Sequence, residues 1–226
     1  MKQTLLVLLL CAAASSCVQA GEAAVKIPTP LVDDKPAAGN LQTAVIAGGC
    51  FWGVQGVYQH LVGVRNVLSG YSGGARDDAD YQTVGGGDTG HAESVQIVYD
   101  PAKVTYGQIL QVFFSVAHDP TQLNRQGPDS GTQYRSAIFY ANEGQKKIAQ
   151  AYIAQLSTAK VYPDAIVTKV DPLKGFYAAE AYHQDFLINH PTHGYIVYND
   201  LPKVRNFERL LPTLYAARAV TVASAK

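Results

Sequence analysis

The sequence Gly48-Gly49-Cys50-Phe51-Trp52-Gly53 lies between two patterns that predict different secondary structures. Before it, Thr43–Ala47 is a short apolar run typical of a buried strand. After it, apolar side chains recur at the spacing of a helix, at Phe51, Val54, Val57, Tyr58 and Leu61. Cys50 is therefore predicted at the point where a strand turns into a helix, behind two glycines that permit a tight turn.

Cys50 is a candidate nucleophile because of this position. Unpaired N–H groups and the helix dipole stabilise negative charge at a helix N-terminus. We therefore expect the pKa of Cys50 to lie below the ordinary value of about 8.5. Phe51 and Trp52 place two aromatic side chains beside the sulfur. The alternative is an inert buried cysteine, and the helix-start position favours the reactive one.

Residues 1–20 have the pattern of a secretory signal peptide. Lys2 provides the positive start, Leu5–Leu10 begins an apolar run, and Val18-Gln19-Ala20 offers a small-residue cleavage site. The run is too short for a membrane-spanning helix. We expect cleavage after residue 20 and export, which in a bacterium leads to the periplasm.

A second route of export stays open at Cys17. Ala14-Ser15-Ser16-Cys17 loosely resembles a bacterial lipoprotein box, in which Cys17 would be acylated and would anchor the protein to the envelope. Such boxes usually carry Leu at the position of Ala14. Both routes lead to an oxidising compartment. After cleavage, Cys50 is the one cysteine that remains of the three in this sequence, the others being Cys11 and Cys17.

Composition and charge indicate one globular domain with appendages. The chain has 226 residues, 47% of them hydrophobic, and its formal net charge is zero, which offers no case for a nucleic-acid partner. Residues 21–40 contain three prolines and are predicted to be a flexible tether. Residues 41–215 are the predicted catalytic domain, and residues 216–226 a frayed tail. Nothing in the pattern predicts a coiled coil, so we expect a monomer.

The periodicity along residues 41–215 predicts five strands and five helices. The predicted strands are 43–47, 64–71, 94–99, 134–141 and 165–170. The predicted helices are 50–61, 105–117, 142–158, 176–189 and 204–211. The first four strands and first two helices give the order of a split βαβ unit. We expect an α+β fold, a two-layer sandwich with a mixed sheet and a ferredoxin-like core, wrapped by the C-terminal segment.

Two long polar loops, residues 72–92 and 118–133, precede predicted strands. Loops of this length in a small domain are usually functional. Each delivers a carboxylate and a tyrosine next to a strand end, namely Glu93 with Tyr81 and Asp129 with Tyr134. Since Cys50 also follows a strand, the sequence predicts that these groups converge.

Three motifs in order along the chain resemble the A-type peptide methionine sulfoxide reductases. They are Gly49-Cys50-Phe51-Trp52-Gly53, Thr89-Gly90-His91-Ala92-Glu93 and Gly175-Phe176-Tyr177-Ala178-Ala179-Glu180-Ala181-Tyr182-His183-Gln184. The resemblance covers about Ala44 to Leu187. It implies reduction of the S epimer of methionine sulfoxide in proteins, in peptides and as the free amino acid, which repairs oxidative damage.

The resemblance also implies a role for each site residue. Cys50 is the nucleophile that attacks the sulfoxide sulfur and becomes a sulfenic acid, while Glu93 is the acid for the oxygen, which requires burial to raise its pKa. The supporting groups are Tyr81 and Tyr134 as hydroxyl donors, Asp129 as a carboxylate, and Phe51 and Trp52 as walls for the S-methyl group.

One departure from the family pattern concerns regeneration of the thiol. Many members carry a resolving cysteine after a Gly-Tyr pair near the C-terminus. Here Gly194-Tyr195 is followed by Ile196, and no cysteine follows in this sequence. We therefore expect no bound cofactor and an external thiol as reductant, such as a thioredoxin-like protein, a glutaredoxin or a small thiol.

Two other functions stay open. A hydrolase would acylate Cys50 and use His91, His118 or His183 as its base. A non-catalytic module would bind methionine side chains through Phe51 and Trp52.

A metal site is the remaining alternative. Glu180 and His183 have the i, i+3 spacing of a metal-binding helix. Since no second such motif exists in the sequence, we expect no metal and assign His183 a supporting role.

Overall fold

A computed structural model describes residues 24–222 of the chain. The predicted signal peptide, with Cys17 as its alternative lipidation site, and residues 223–226 lie outside the described residues. Within residues 24–222, every helix is too short or too polar to cross a membrane.

The described residues form eight strands and six α-helices. The strands are β1 (Gln42–Gly48), β2 (Val64–Ser72), β3 (Ala92–Tyr99), β4 (Arg125–Gln126), β5 (Asp129–Ser130), β6 (Ser136–Tyr140), β7 (Lys169–Pro172) and β8 (Tyr177–Ala178). The helices are α1 (Phe51–Gln59), α2 (Tyr81–Gly85), α3 (Tyr106–Val112), α4 (Glu143–Thr158), α5 (Phe186–Asn189) and α6 (Leu201–Leu210). Helix α3 continues as a π-helical turn, Phe113–Ala117, and a second such turn, Ile196–Asp200, leads into α6.

Six strands form one mixed sheet in the order β7-β6-β1-β3-β2-β8, while β4 and β5 form a separate hairpin. Strand β1 is antiparallel to both β3 and β6, and β2 is antiparallel to β3. Among the strands of residues 24–222, only the pairing of β6 with β7 is parallel. The order β6-β1-β3-β2 is that of a split βαβ unit, so the predicted α+β fold is confirmed.

Alternation along β1 separates the two faces of the sheet. Ala44 and Ile46 point into the main core, which the helices complete. Val45 and Ala47 point to the opposite face, where a smaller cluster includes Phe139. The main core therefore lies between the sheet and the helices. Cys50 lies just beyond the C-terminal end of β1.

The predicted helix over residues 176–189 is wrong. The segment forms β8, a 3₁₀ turn at Ala181–His183, and α5. The side-chain amide of Gln184 accepts a hydrogen bond from the Ser69 N–H and donates one to the Ser69 carbonyl, both at 2.9 Å. Asp185 has a left-handed φ of 55°. Hydrogen bonds to strand β2 therefore outweigh the helical propensity of this segment.

The predicted strand at residues 165–170 is displaced along the chain. The observed strand is β7, Lys169–Pro172, which pairs with β6. Val167 instead donates its N–H to the Pro120 carbonyl at 2.9 Å. Both predicted long loops also contain regular structure, namely α2 in the first and the β4–β5 hairpin in the second.

The predicted flexible tether is also wrong for residues 25–33, which pack against the domain. Ile27 is buried, and Val25 exchanges hydrogen bonds with Ser115 through its N–H and its carbonyl. Asp33 accepts the N–H of Gly107 at 2.8 Å, and so caps the start of α3. These contacts fix residues 25–33 against the domain.

The described part of the predicted frayed tail packs against the end of α1. Ala216 donates its N–H to the His60 carbonyl at 2.7 Å, and Val220 donates to the Gln59 carbonyl at 2.8 Å. Val222 donates to the Asp185 carboxylate. The prediction of fraying is therefore wrong as far as Val222.

Candidate active site

Cys50 is the N-cap residue of α1, directly after β1, as the sequence predicts. It is buried, with 8% of its surface exposed. Gly49 has a φ of 85°, and a Cβ atom there would lie 2.5 Å from the Gln126 side chain. Glycine is therefore required at this position both for the left-handed turn and for the close approach of the hairpin.

A cavity of about 230 Å³ opens at Cys50. It is lined by Cys50, Phe51, Trp52, Tyr81, Glu93, Asp129, Tyr134, His193 and Tyr195. The structure thus brings together all seven predicted catalytic and substrate-binding residues. Sequence reasoning missed His193 and Tyr195 as parts of this cavity.

Burial raises the pKa of the Cys50 thiol well above its usual range. The carboxylates of Glu93, Asp200 and Asp129 raise this pKa further, and the backbone N–H of Trp52 lowers it. The predicted lowering by the helix N-terminus is therefore wrong in direction, because burial and nearby negative charge outweigh it. In the empty site, Cys50 is a neutral thiol at neutral pH.

Glu93 lies at the start of β3 and is buried, with 4% of its surface exposed. Its Oε2 atom accepts the Phe51 N–H at 3.0 Å. Burial raises the pKa of Glu93 to about 8, Asp129 and Asp200 add to the shift, and the Phe51 N–H opposes it. Glu93 is therefore mostly protonated at neutral pH and can donate a proton.

The two loops that supply the remaining groups are joined to each other. The Thr132 hydroxyl donates to the Gly87 carbonyl, and the Gln133 side chain donates to the Gly85 carbonyl at 3.1 Å. These bonds connect the turn before Tyr134 to the end of α2. The predicted convergence of the loops therefore has a direct structural basis.

Tyr81 and Tyr134 both present protonated hydroxyl groups at neutral pH. Burial raises the pKa of each phenol, and the carboxylate of Glu93 raises both further. Tyr81 is fixed by its own N–H, which donates to Glu180 Oε1 at 2.9 Å. Both side chains can therefore donate hydrogen bonds into the cavity.

Asp129 lies in the β4–β5 hairpin and accepts a hydrogen bond from the Tyr195 hydroxyl. Burial raises the pKa of Asp129 above its ordinary value, while Tyr195 and Lys203 oppose this shift. The contact spans 66 positions of sequence, and Tyr195 lies just before an irregular turn. No periodicity in the sequence could have paired these two residues.

His183 supports the aromatic wall of the cavity. Its Nδ1 atom accepts the Trp52 indole N–H at 3.0 Å, and its ring lies 5.0 Å from that of Phe51. Phe186 stacks on Trp52 at 3.8 Å. Glu180 lies 4.0 Å from His183 Nε2. Within residues 24–222, no group of three or more Cys, His, Asp or Glu side chains is arranged to hold a metal.

The histidines considered as hydrolase bases have other partners. Both ring nitrogens of His91 lie in hydrogen bonds with the backbone of residues 74 and 75. Those of His118 contact the Phe113 carbonyl at 3.0 Å and the Ser136 hydroxyl at 2.7 Å, and burial lowers the pKa of His118 to about 3. His183 is bound to Trp52. These contacts do not favour any of the three as the base of a Cys–His hydrolase.

Comparison with known proteins agrees with this geometry. Residues 42–213 match the peptide methionine sulfoxide reductase family. Peptide methionine sulfoxide reductase MsrA 2 of Mesorhizobium japonicum is 66% identical over 194 residues, which cover 86% of this chain and 99% of that protein.

Solved structures show the same fold. Reduced Mxr1 of Saccharomyces cerevisiae has a TM-score of 0.60 at 31% identity, covering 70% of this chain and 94% of that one. Methionine sulfoxide reductase A of Corynebacterium diphtheriae has a TM-score of 0.56 at 31% identity, covering 78% and 89%. The chain belongs to the peptide methionine sulfoxide reductase family.

Proposed function

We propose that this chain repairs oxidised proteins by reducing methionine-S-sulfoxide to methionine at Cys50, and that it also accepts peptides and the free amino acid. Membership of the family makes it an oxidoreductase. The observation that carries the mechanism is the juxtaposition of Cys50 with a buried, protonated Glu93 in one cavity.

The chemical step transfers oxygen from the substrate to Cys50. Glu93 donates its proton to the sulfoxide oxygen, which makes the substrate sulfur electrophilic. The Cys50 sulfur bonds to that sulfur, and the proton leaving the thiol replaces the one that Glu93 gave. The protonated oxygen then forms a bond to the Cys50 sulfur while its bond to the substrate sulfur and the new S–S bond both break. Methionine leaves and Cys50 becomes a sulfenic acid.

The cavity walls orient the substrate for this step. Phe51 and Trp52 offer apolar and aromatic surface to the S-methyl group, a favourable sulfur–aromatic contact. The hydroxyl groups of Tyr81 and Tyr134 donate to the oxygen as negative charge develops on it. Asp129 orients this side of the cavity through its hydrogen bond with Tyr195.

The sulfenic acid must then be reduced by thiols from another molecule. This sequence contains no cysteine after Cys50, so it supplies no partner there for an internal disulfide. Two equivalents of thiol convert the sulfenic acid to thiol and water, forming one disulfide in the reductant. We propose a thioredoxin-like protein, a glutaredoxin or a small thiol as this reductant, acting on a monomer.

We further propose that the protein is exported. The support is Lys2, the apolar run Leu5–Leu10 and the small-residue site at Ala20. Export to the periplasm, or anchoring to the envelope through Cys17, would place the enzyme in an oxidising compartment to which the reductant must be delivered.

A racemic methionine sulfoxide peptide with dithiothreitol tests the proposal and separates it from its rivals. We expect the S epimer to disappear and the R epimer to remain, and Cys50→Ser to abolish turnover. Lack of turnover of either epimer would contradict the proposal. Cys50-dependent cleavage of a chromogenic ester would favour the hydrolase, and binding that survives Cys50→Ser without turnover would favour the binding module.

A further inference from the structure

Asp200 is a fully buried carboxylate directly behind the first turn of α1. A Cβ atom on Gly53 would lie 2.1 Å from Asp200 Oδ1, so the carboxylate touches the backbone three positions after Cys50. Asp200 does not line the cavity, and it therefore cannot contact a substrate there. The glycine of the Cys50-Phe51-Trp52-Gly53 motif makes this contact sterically feasible.

Lys203 fixes the position of this carboxylate. Its Nζ atom lies 3.4 Å from Asp200 Oδ1, and only 5% of the Lys203 surface is exposed. Both residues belong to the start of α6, which packs against α1. A buried carboxylate is costly unless a cation or hydrogen bonds compensate it. A charged pair buried here, against the helix that carries the nucleophile, points to an electrostatic role.

We propose that Asp200 is a positioning residue for Cys50: its carboxylate, fixed by Lys203 against the first turn of α1, opposes negative charge on the sulfur while the cavity is empty. This proposal rests on the proposed function of Cys50. The carboxylate favours the neutral thiol over the thiolate, so the proton stays on the sulfur until a sulfoxide binds. It also lowers the reactivity of the empty site toward other electrophiles.

The remaining charges around the thiol are compatible with this role. The titratable and charged groups that face Cys50 or Asp200 are Tyr81, Glu93, Asp129, Tyr134, His193, Tyr195 and Lys203. Burial raises the pKa of Asp200 to about 6 and Lys203 opposes the shift, so Asp200 is mostly ionised at pH 7. Since Glu93 is mostly protonated at that pH, Asp200 supplies negative charge near the sulfur there.

The rate of Cys50 alkylation by iodoacetamide, followed from pH 6 to pH 11 by mass spectrometry of the Cys50 peptide, tests this proposal. Asp200→Asn removes the charge and keeps the shape. We expect the midpoint of the profile to fall by about one pH unit, the size typical of a nearby like charge. Asp185→Asn is the matched control, since Asp185 is a buried carboxylate that contacts Gln59 at the other end of α1. We expect no shift in this control.

Asp200→Asn leaves Lys203 buried without its carboxylate, which could prevent folding. A second variant therefore keeps the test possible if the first does not fold. The double variant Asp200→Asn/Lys203→Met has no unpaired buried charge and is expected to move the profile in the same direction. An unchanged profile in the folded variants, or an equal shift in Asp185→Asn, would overturn the proposal. Alkylation requires no sulfoxide, so this result is independent of the racemic-peptide assay.

Discussion

Glu93 and Asp129 are two carboxyl groups that line one cavity and are held differently. Glu93 is buried in a strand and accepts a hydrogen bond from the Phe51 backbone. Asp129 is half-buried in a hairpin, accepts a hydrogen bond from Tyr195, and experiences the charge of Lys203. Burial raises the pKa of both carboxyl groups, and it is opposed by one backbone N–H at Glu93 and by a hydroxyl donor and a cation at Asp129.

This difference assigns the acid. Two carboxyl groups whose environments separate their pKa values can serve as proton donor and as charged support in the same site. With a pKa of about 8, Glu93 holds its proton at neutral pH. Asp129 keeps a hydrogen bond that stabilises its charged form. Their environments, more than their chemical type, decide which one protonates the sulfoxide.

The largest effect is expected from Glu93→Gln. This change removes the proton donor and keeps a side chain of similar shape. We expect the single-turnover rate of sulfenic acid formation to fall by about 10²-fold or more, the usual contribution of a general acid. Rapid-quench measurement of methionine formed without reductant checks this. An unchanged rate would exclude Glu93 as the acid.

The pH dependence of the same step sharpens the contrast. Since the step uses the proton on Glu93, its rate should be level below about pH 8 and fall roughly tenfold per pH unit above it. Glu93→Gln should lose this descending limb, while Asp129→Asn should retain it. A limb that persists in Glu93→Gln would assign it to another group.

A smaller effect is expected from Asp129→Asn. Asn keeps an oxygen that can accept from Tyr195 and loses the charge, and a loss of about 1.4 kcal/mol corresponds to a decrease of about tenfold in kcat/KM. Tyr195→Phe removes the hydrogen bond and leaves the charge of Asp129, so it separates the two contributions. Full activity in Tyr195→Phe would show that the hydrogen bond is dispensable.

The last prediction concerns stability, and not catalysis. The pKa of Glu93 is raised from its unfolded value of about 4.3 to about 8, so the stability it contributes is complete below about pH 4.3 and is lost as pH rises toward about 8. Glu93→Gln has no such loss. Each pH unit between about 5 and 8 is worth about 1.4 kcal/mol, so its free energy of unfolding should rise relative to wild type by several kcal/mol. Urea unfolding at both pH values measures this, and a parallel decline would contradict it.

The regular elements of the fold follow from local sequence signals. The change from strand to helical periodicity places Cys50 correctly, and the predicted caps are present: Thr105 forms a capping box with Gln108, and Asn142 accepts the Gln145 N–H at 2.9 Å. These signals involve residues close together in the chain. The structure of residues 176–189 depends instead on a distant contact, because hydrogen bonds from the Gln184 side chain to β2 override helix formation.

The sequence predicts which residues form the site, but it does not predict their pKa values. Motifs and loop lengths identify Cys50, Glu93 and both tyrosines. The pKa of Cys50 depends on how deeply the thiol is buried and on carboxylates from three separate segments, including Asp200. The Asp129–Tyr195 contact likewise arises only when the C-terminal segment wraps over the hairpin. Sequence patterns report neither distance nor burial, so these properties require the folded structure.

The protonation state of Glu93 tests the central claim most directly. In protein labelled with ¹³C at the glutamate side-chain carboxyl, with Glu93→Gln used to assign the resonance, the carboxyl carbon can be titrated in the substrate-free enzyme. We predict that Glu93 is mostly protonated at pH 7 and titrates near pH 8. A midpoint near the ordinary glutamate value of about 4.3 would contradict its assignment as the acid.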